Sequence, residues 1–193
     1  MPELHLTDDD AADALLSRDP LALLVGMLLD QQVPMERAFA APRVLAERMG
    51  VESLSAAGIA ATDPDDLLAL FKGPPALHRY PGSMAQRAQQ LCAALVADWG
   101  GDPTTLWSDG ADGRTVLKRL NSLPGFGAQK ARIFLALLGK QYGVRPEGWR
   151  EAAGEYGEEG SRRSVADIVD PTSLAEVRAT KQEIKRAAKA ARG

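Results

Sequence analysis

The stretch that decides the fold reads Leu123-Pro124-Gly125-Phe126-Gly127, and apolar residues at helical spacing follow it. Two glycines around one large apolar residue are typical of a tight turn between two helices, because glycine accepts backbone conformations that other residues avoid. The Phe126 side chain can fill the space between these helices. The sequence therefore predicts a helical hairpin at residues 120–140, with helices over 113–121 and 128–141.

The second helix of this hairpin is expected to present its unpaired N-terminal N–H groups to a phosphate. Glycines at positions 125 and 127 would allow close approach, and Lys130 would add a positive charge one turn into the helix. The alternative is an ordinary turn between helices, with a glycine that only ends the first one. The continuation Ala128-Gln129-Lys130-Ala131 favours a contact with the DNA backbone.

The rest of the composition favours helices. Hydrophobic residues make up 45% of the 193 residues, and they are mainly Ala and Leu, whereas β-branched and aromatic residues are sparse. This length fits one domain. We predict an all-α fold with further helices over residues 7–17, 20–29, 34–49, 51–57, 64–71, 83–99 and 173–191, the 83–99 helix being capped by Ser83. Residues 72–82 are expected to form a loop, and residues 144–163 an irregular stretch.

The charge pattern gives no general sign of a nucleic-acid partner, because the formal net charge is −3. Acidic residues are concentrated in residues 8–13, 63–66 and 155–159, which leaves other segments basic. In the C-terminal helix, Lys181, Lys185 and Lys189 recur at every fourth position. This row is either a solvated face or a supplementary contact with the DNA backbone.

Several site classes and locations are disfavoured by the sequence. Cys92 is the only cysteine and lies in an apolar stripe, so we expect a core thiol and no disulfide or cysteine-ligated cluster within the chain. His5 and His78 are too few to suggest a zinc site. The longest apolar stretches are too short to cross a membrane and no signal peptide is seen. We therefore expect a cytoplasmic, nucleoid-associated monomer without a membrane partner.

Three segments resemble a known family. Residues 123–131 resemble the hairpin of the helix-hairpin-helix, Gly/Pro-rich, Asp-containing (HhH-GPD) DNA glycosylases of the endonuclease III superfamily, while residues 19–32 resemble the buried early helix of that family and its Gln-bearing loop. Residues 83–99 resemble the helix before the hairpin. The resemblance implies two helical subdomains flanking a cleft for double-stranded DNA. One would span about residues 20–140, and the other would combine residues 1–19 with 141–193.

The resemblance also implies a type of chemistry. Family members that cut the backbone use a lysine two residues after the second hairpin glycine, and here this position is Gln129. Lys130 comes one residue later, which rotates it by about 100° around the helix. We therefore expect a monofunctional base-excision glycosylase that uses water as nucleophile. It would need no iron–sulfur cluster, and an alkali metal ion at the hairpin is the one ion that this interpretation allows.

The acid position of the family, counted along the chain without a gap, falls on Glu147. A carboxylate there could stabilise an oxocarbenium-like sugar and activate water. Alternatively, Glu147 only favours a helix start after Pro146, or a realigned loop gives the role to Glu151 or Asp167. If Glu147 is catalytic, Glu147→Gln should abolish base release and leave DNA affinity nearly intact.

A damaged base must leave the duplex before it can be cut, and a side chain must fill the gap. By resemblance Gln31 or Gln32 would do so, with Gln32 preferred, although either could simply cap the preceding helix. Four residues could stack on the flipped base, although each could equally be a core residue: Trp149, Phe39, Tyr80 and Met27. The rival functions are a non-catalytic DNA lesion- or structure-binding protein of the same fold and a helical protein-interaction module that uses residues 155–163.

Overall fold

The computed structural model describes residues 2–192, and every regular element in this range is a helix, as the sequence predicts. The ten α-helices are α1 (Asp10–Arg18), α2 (Pro20–Leu29), α3 (Met35–Met49), α4 (Ala56–Ala61), α5 (Pro64–Lys72), α6 (Pro81–Trp99), α7 (Gly113–Ser122), α8 (Ala128–Gln141), α9 (Trp149–Ala153) and α10 (Pro171–Ala190). Short 3₁₀ turns occur at Pro103–Leu106, Gly154–Tyr156 and Val165–Asp167.

Helix α2 is the centre of the core. All its residues from Leu21 to Leu29 are buried, and it packs against α1, α3 and α6. Its start is fixed by the buried carboxylate of Asp19, which accepts the N–H groups of Leu21 and Ala22 at 3.0 Å and that of Leu54 at 2.8 Å. Asp19 therefore caps α2 and also ties it to the segment before α4.

The hairpin helices α7 and α8 pack against each other and against α9. The contact is close because two glycines face Trp149: a β-carbon on Gly139 would lie 2.4 Å from the indole ring, and one on Gly113 would lie 2.6 Å from the Trp149 Cα. Helix α10 is attached mainly through its first turns, where Ser173 and Val177 are buried. Most of its remaining residues are exposed.

Helix α1 packs against α2 and α3, whereas the hairpin packs against α9 and the last two 3₁₀ turns. An ion pair between Arg43 and Asp9 at 2.7 Å joins α3 to the start of α1. The apolar face of α1 (Leu15, Leu16) is buried in the same hydrophobic core as α2 and the hairpin residue Phe134. The expected division into two subdomains, which places residues 1–19 with 141–193 and the hairpin with the central unit, stays a prediction.

Three local predictions are corrected. The helix expected over residues 51–57 is instead Ala56–Ala61, because Ser55 Oγ accepts the Gly58 N–H at 3.2 Å and caps it there. Helix α6 begins at Pro81, so Ser83 lies inside the helix and does not cap it. Within the stretch expected to be irregular, residues 149–153 form α9.

Candidate functional site

The hairpin turn forms as the sequence predicts, and it rests on the end of α2. Phe126 is 3% exposed, and its ring stands edge-on to Phe134 with centroids 5.9 Å apart, so it does fill the space between the helices. Gly125 has a φ of +83°, and a β-carbon there would lie 2.3 Å from Leu28 Cδ1. Glycine is therefore required at 125 by both backbone and space.

Gly127 has a different role. Its φ is −70°, and a β-carbon there would meet no atom within 4 Å, so neither the backbone nor the packing requires glycine. This corrects the expectation that both glycines serve the turn. Gly127 is the N-cap of α8 and no side chain caps the helix start. The exposed backbone from 127 to 129 therefore offers uncapped N–H groups and open space, which suits a phosphate.

A cleft of about 430 Å³ lies beside the turn, within the range of about 300–1,000 Å³ that is usual for ligand sites. The end of α2 and the loop after it form one wall, and the start of α8 forms the next. Helix α10 forms the remaining wall, together with Tyr156 and Arg163 from the segment before it. The polar and charged lining residues are Asp30, Gln31, Gln32, Gln129, Lys130, Tyr156, Arg163, Lys181 and Lys185.

Positive charge dominates this cleft. Its lining holds Lys130, Arg163, Lys181 and Lys185 but one acidic residue, Asp30, among the residues described. Burial raises the pKa of the Asp30 carboxyl, and the positive charges of Lys181 and Lys130 oppose this rise. Burial likewise lowers the pKa of Lys130 to about 8, against the attraction of Asp30. The two groups thus share a partly dehydrated environment.

Lys130 does not lie on the outer surface of the hairpin. Its Nζ donates to the Leu28 carbonyl at 3.0 Å, across 102 positions of sequence. It therefore binds a carbonyl in the last turn of α2, where the helix dipole favours a cation. Lys130 is therefore not a freely solvated side chain, and its contact with a phosphate stays a prediction.

The two glutamines after α2 differ in their surroundings. Gln31 is held in place, because its Nε2 donates to the Leu28 carbonyl at 2.9 Å and its Oε1 accepts from Arg87 at 3.0 Å. The Gln31 carbonyl also lies 2.8 Å from Nε2 of the buried His78. Gln32 is exposed, with a left-handed φ of 58° that is uncommon for a residue other than glycine. A braced loop thus presents Gln32 at the edge of the cleft.

Gln129, at the position where lyases of the resembling family have lysine, lines the cleft and donates through Nε2 to the Tyr156 hydroxyl at 2.9 Å. Tyr156 belongs to the 3₁₀ turn after α9, where the chain returns to the start of α8. Gln129 therefore links the hairpin to the segment that closes the cleft.

The structure does not bring Glu147 into the cleft. Helix α8 has 14 residues and so is about 20 Å long, and Glu147 follows its far end. There the Glu147 carbonyl accepts the N–H of Gly113 at 2.7 Å, at the start of α7, and the side chain is exposed. Its proposed catalytic role is thus a prediction without support from this position.

The alternative acids also lie outside the cleft lining. Asp167 is buried and pairs with Lys140 at 2.6 Å, and its second oxygen accepts the N–H groups of Arg163 and Ser164. Glu151 is exposed on α9. Neither residue belongs to the cleft lining.

Among the four candidate stacking residues, Met27 alone lines the cleft. Phe39 is fully buried against Gly26, and Trp149 is buried against Gly139, which gives both a packing role. Tyr80 is 43% exposed and lies under Arg79, with 5.4 Å from the guanidinium carbon to the ring centroid. Phe39 and Trp149, the two most hydrophobic aromatic candidates, thus belong to the hydrophobic core.

Residues 25–190 match the family described as HhH-GPD superfamily base excision DNA repair protein. The chain belongs to the HhH-GPD superfamily. None of the curated proteins with which it was compared matches it.

The match to the HhH-GPD superfamily runs from the middle of α2 to the end of α10, so it includes the hairpin and every segment that lines the cleft. Base excision DNA repair is therefore the process to which the protein belongs, and DNA is its partner. In this HhH-GPD chain the row of lysines on α10 is divided: Lys181 and Lys185 line the cleft, and Lys189 does not.

Three polar or charged cleft residues of this HhH-GPD chain were not predicted from the sequence: Asp30, Tyr156 and Arg163. Asp30 had a visible signal, because it is a charged residue directly after nine apolar ones. Tyr156 and Arg163 come from a stretch without periodicity and had none.

Among residues 2–192, no helix is both long and apolar enough to cross a bilayer. No cluster of three or more His, Cys, Asp or Glu side chains suited to a metal ion occurs in the same residues.

Proposed function

We propose that this HhH-GPD protein is a monofunctional DNA glycosylase, which hydrolyses the N-glycosidic bond of a damaged or mispaired base in double-stranded DNA. One observation carries the proposal: the uncapped start of α8 adjoins a cationic cleft of about 430 Å³. The hairpin would hold the backbone through its N–H groups, and the cleft beside it would receive the flipped nucleotide. Gln32 would fill the gap in the duplex.

The absence of lyase activity is proposed from the two residues that follow the turn. Gln129 has no amine and is engaged with Tyr156. Lys130 is bound to the Leu28 carbonyl and held near Asp30. Because neither residue offers a free amine, we propose water as the nucleophile. An alkali metal ion at the hairpin, a monomeric state and a nucleoid location stay predictions.

The activity can be tested with a panel of duplexes that each contain one defined lesion or mismatch. After incubation with the protein, hot alkali cuts the strand wherever a base has been lost. We expect alkali-dependent cleavage at one lesion class and no cleavage before alkali. Cleavage without alkali would contradict the monofunctional assignment, and the absence of any base release would contradict the glycosylase.

A second candidate is a non-catalytic protein that binds DNA lesions or structures. The position of Glu147, beyond the end of α8 and outside the cleft lining, favours it. The same panel decides between the two when binding is measured in parallel. Tight lesion-selective binding without base loss would support this second function.

The lysines of α10 give a graded prediction. Replacing both Lys181 and Lys185 with Gln should weaken binding to all duplexes and lower the slope of log affinity against log salt by about 2, since each phosphate contact contributes roughly 0.9. Lys189→Gln should change the slope less, because Lys189 lies outside the cleft lining. Fluorescence anisotropy at several salt concentrations measures both variants.

The matched control is Lys118→Gln on α7, which removes the same charge away from the cleft. An unchanged slope in the Lys181 and Lys185 double variant would show that this face of α10 is merely solvated.

A further inference from the structure

The negatively charged side chain of Asp30 is not expected in a cleft whose one function is to bind DNA. It contributes the single carboxylate to a lining with four cationic side chains among the residues described. A carboxylate repels phosphate, so its presence weakens rather than strengthens the hold on a nucleic-acid backbone.

No structural role accounts for this carboxylate. The backbone N–H of Asp30 donates to the Met27 carbonyl at 3.3 Å, which ends α2. Its side chain, in contrast, accepts no hydrogen bond from the described residues, unlike Asp19 at the other end of the same helix. The Asp30 carboxylate thus has no hydrogen-bond donor among the described residues, is partly buried and lines the cleft.

The surroundings act on the pKa of this carboxyl in opposite directions, and the net effect raises it. Burial favours its neutral form, and Lys130 of α8 and Lys181 of α10 favour the ionised form. The other titratable groups lining the cleft are Lys185, Arg163 and Tyr156, while Arg87 of α6 acts on Lys130. In its ionised form, a partly buried carboxylate that lines a space for a nucleotide is suited to stabilise developing positive charge.

We propose that Asp30 is the catalytic carboxylate of this protein, acting on the sugar of the flipped nucleotide in place of an acid after the hairpin. The inference rests on the proposed glycosylase function and names the residue that performs it. As the bond from C1′ to the base breaks, its electron pair leaves with the base, and Asp30 stabilises the cationic sugar. A water oxygen then bonds to C1′ while its proton passes to Asp30 and on to solvent. The base takes up a proton from solvent.

The decisive variant is Asp30→Asn, which keeps the shape and removes the charge. Single-turnover base release from the duplex that the wild type cleaves fastest should fall by ~10²- to 10⁴-fold. Affinity for the same duplex should stay equal or increase, because a negative charge leaves the cleft. The melting temperature should be unchanged, since no hydrogen bond is lost.

The matched control is Glu147→Gln, the same loss of charge at the position favoured by counting along the chain. We expect it to retain base release. A conservative variant, Asp30→Glu, should restore part of the rate that Asp30→Asn loses. The wild-type rate should fall on the acid side around a pKa above the ordinary 3.8, and Asp30→Asn should lack this dependence.

The outcomes separate the two proposals. Base release by the wild type that persists in Asp30→Asn would overturn the role of Asp30 and leave the glycosylase standing. Loss of release in Glu147→Gln with retention in Asp30→Asn would give the role to Glu147. If the wild type releases no base from any duplex, the glycosylase function and the role of Asp30 both fall.

Discussion

Trp149→Ala should lower the free energy of unfolding by about 3–5 kcal/mol, the usual cost of removing a large buried aromatic side chain. Trp149 is 8% exposed, and its ring lies on Gly139 so closely that a β-carbon there would overlap it. The variant would leave a cavity between α8, α9 and the start of α7. Since a domain is stable by only about 5–15 kcal/mol, this is a large share of the total. Urea unfolding followed by circular dichroism measures it.

The control for this variant is Tyr80→Ala, which removes another candidate stacking residue from an exposed position. Its effect on stability should stay within about 0.5 kcal/mol. If Trp149→Ala were as stable as the wild type but released bases poorly, Trp149 would belong to the base pocket and not to the core.

Asp19→Ala should lower the free energy of unfolding by about 2–5 kcal/mol. The variant loses the cap of α2 and leaves three backbone N–H groups without their acceptor, each at a cost of about 1–3 kcal/mol when buried. Because α2 leads directly to Asp30 and the two glutamines, DNA binding should weaken at temperatures where the helix start begins to open. Thermal and urea unfolding measure the stability change.

Asp63→Ala is the matched control, because Asp63 also caps a helix, α5, but lies at the surface and accepts no hydrogen bond from another segment. We expect a loss of about 0.5–1 kcal/mol. Equal losses in the two variants would show that the bond from Leu54 to Asp19 contributes nothing.

Much of the local structure could be predicted from the sequence. The bounds of α2 and α8 and the turn between α7 and α8 follow from apolar periodicity, Pro20 at a helix start and glycine at position 125. These signals act within a few residues of one another, so they can be seen in a linear string. Cys92 in an apolar stripe is likewise fully buried, and burial raises the pKa of its thiol to about 12.

The carboxylate that we propose as catalytic could not be predicted in the same way. Counting to Glu147 assumes that the chain follows the path of the resembling family after α8. Here residues 142–148 stay at the far end of the hairpin, and the chain forms α9 before Tyr156 reaches Gln129. A count along the sequence cannot show that the chain follows this different path after α8.

By itself, the sequence determined that the chain is helical and carries a hairpin whose second helix starts without a cap. Only the tertiary structure decided what stands beside that hairpin. The cleft joins the end of α2, the start of α8 and one face of α10, and the bond between Lys130 and Leu28 spans 102 positions. Burial and charge at such a site depend on which distant segments meet, and so Asp30 became a candidate only once they had been brought together.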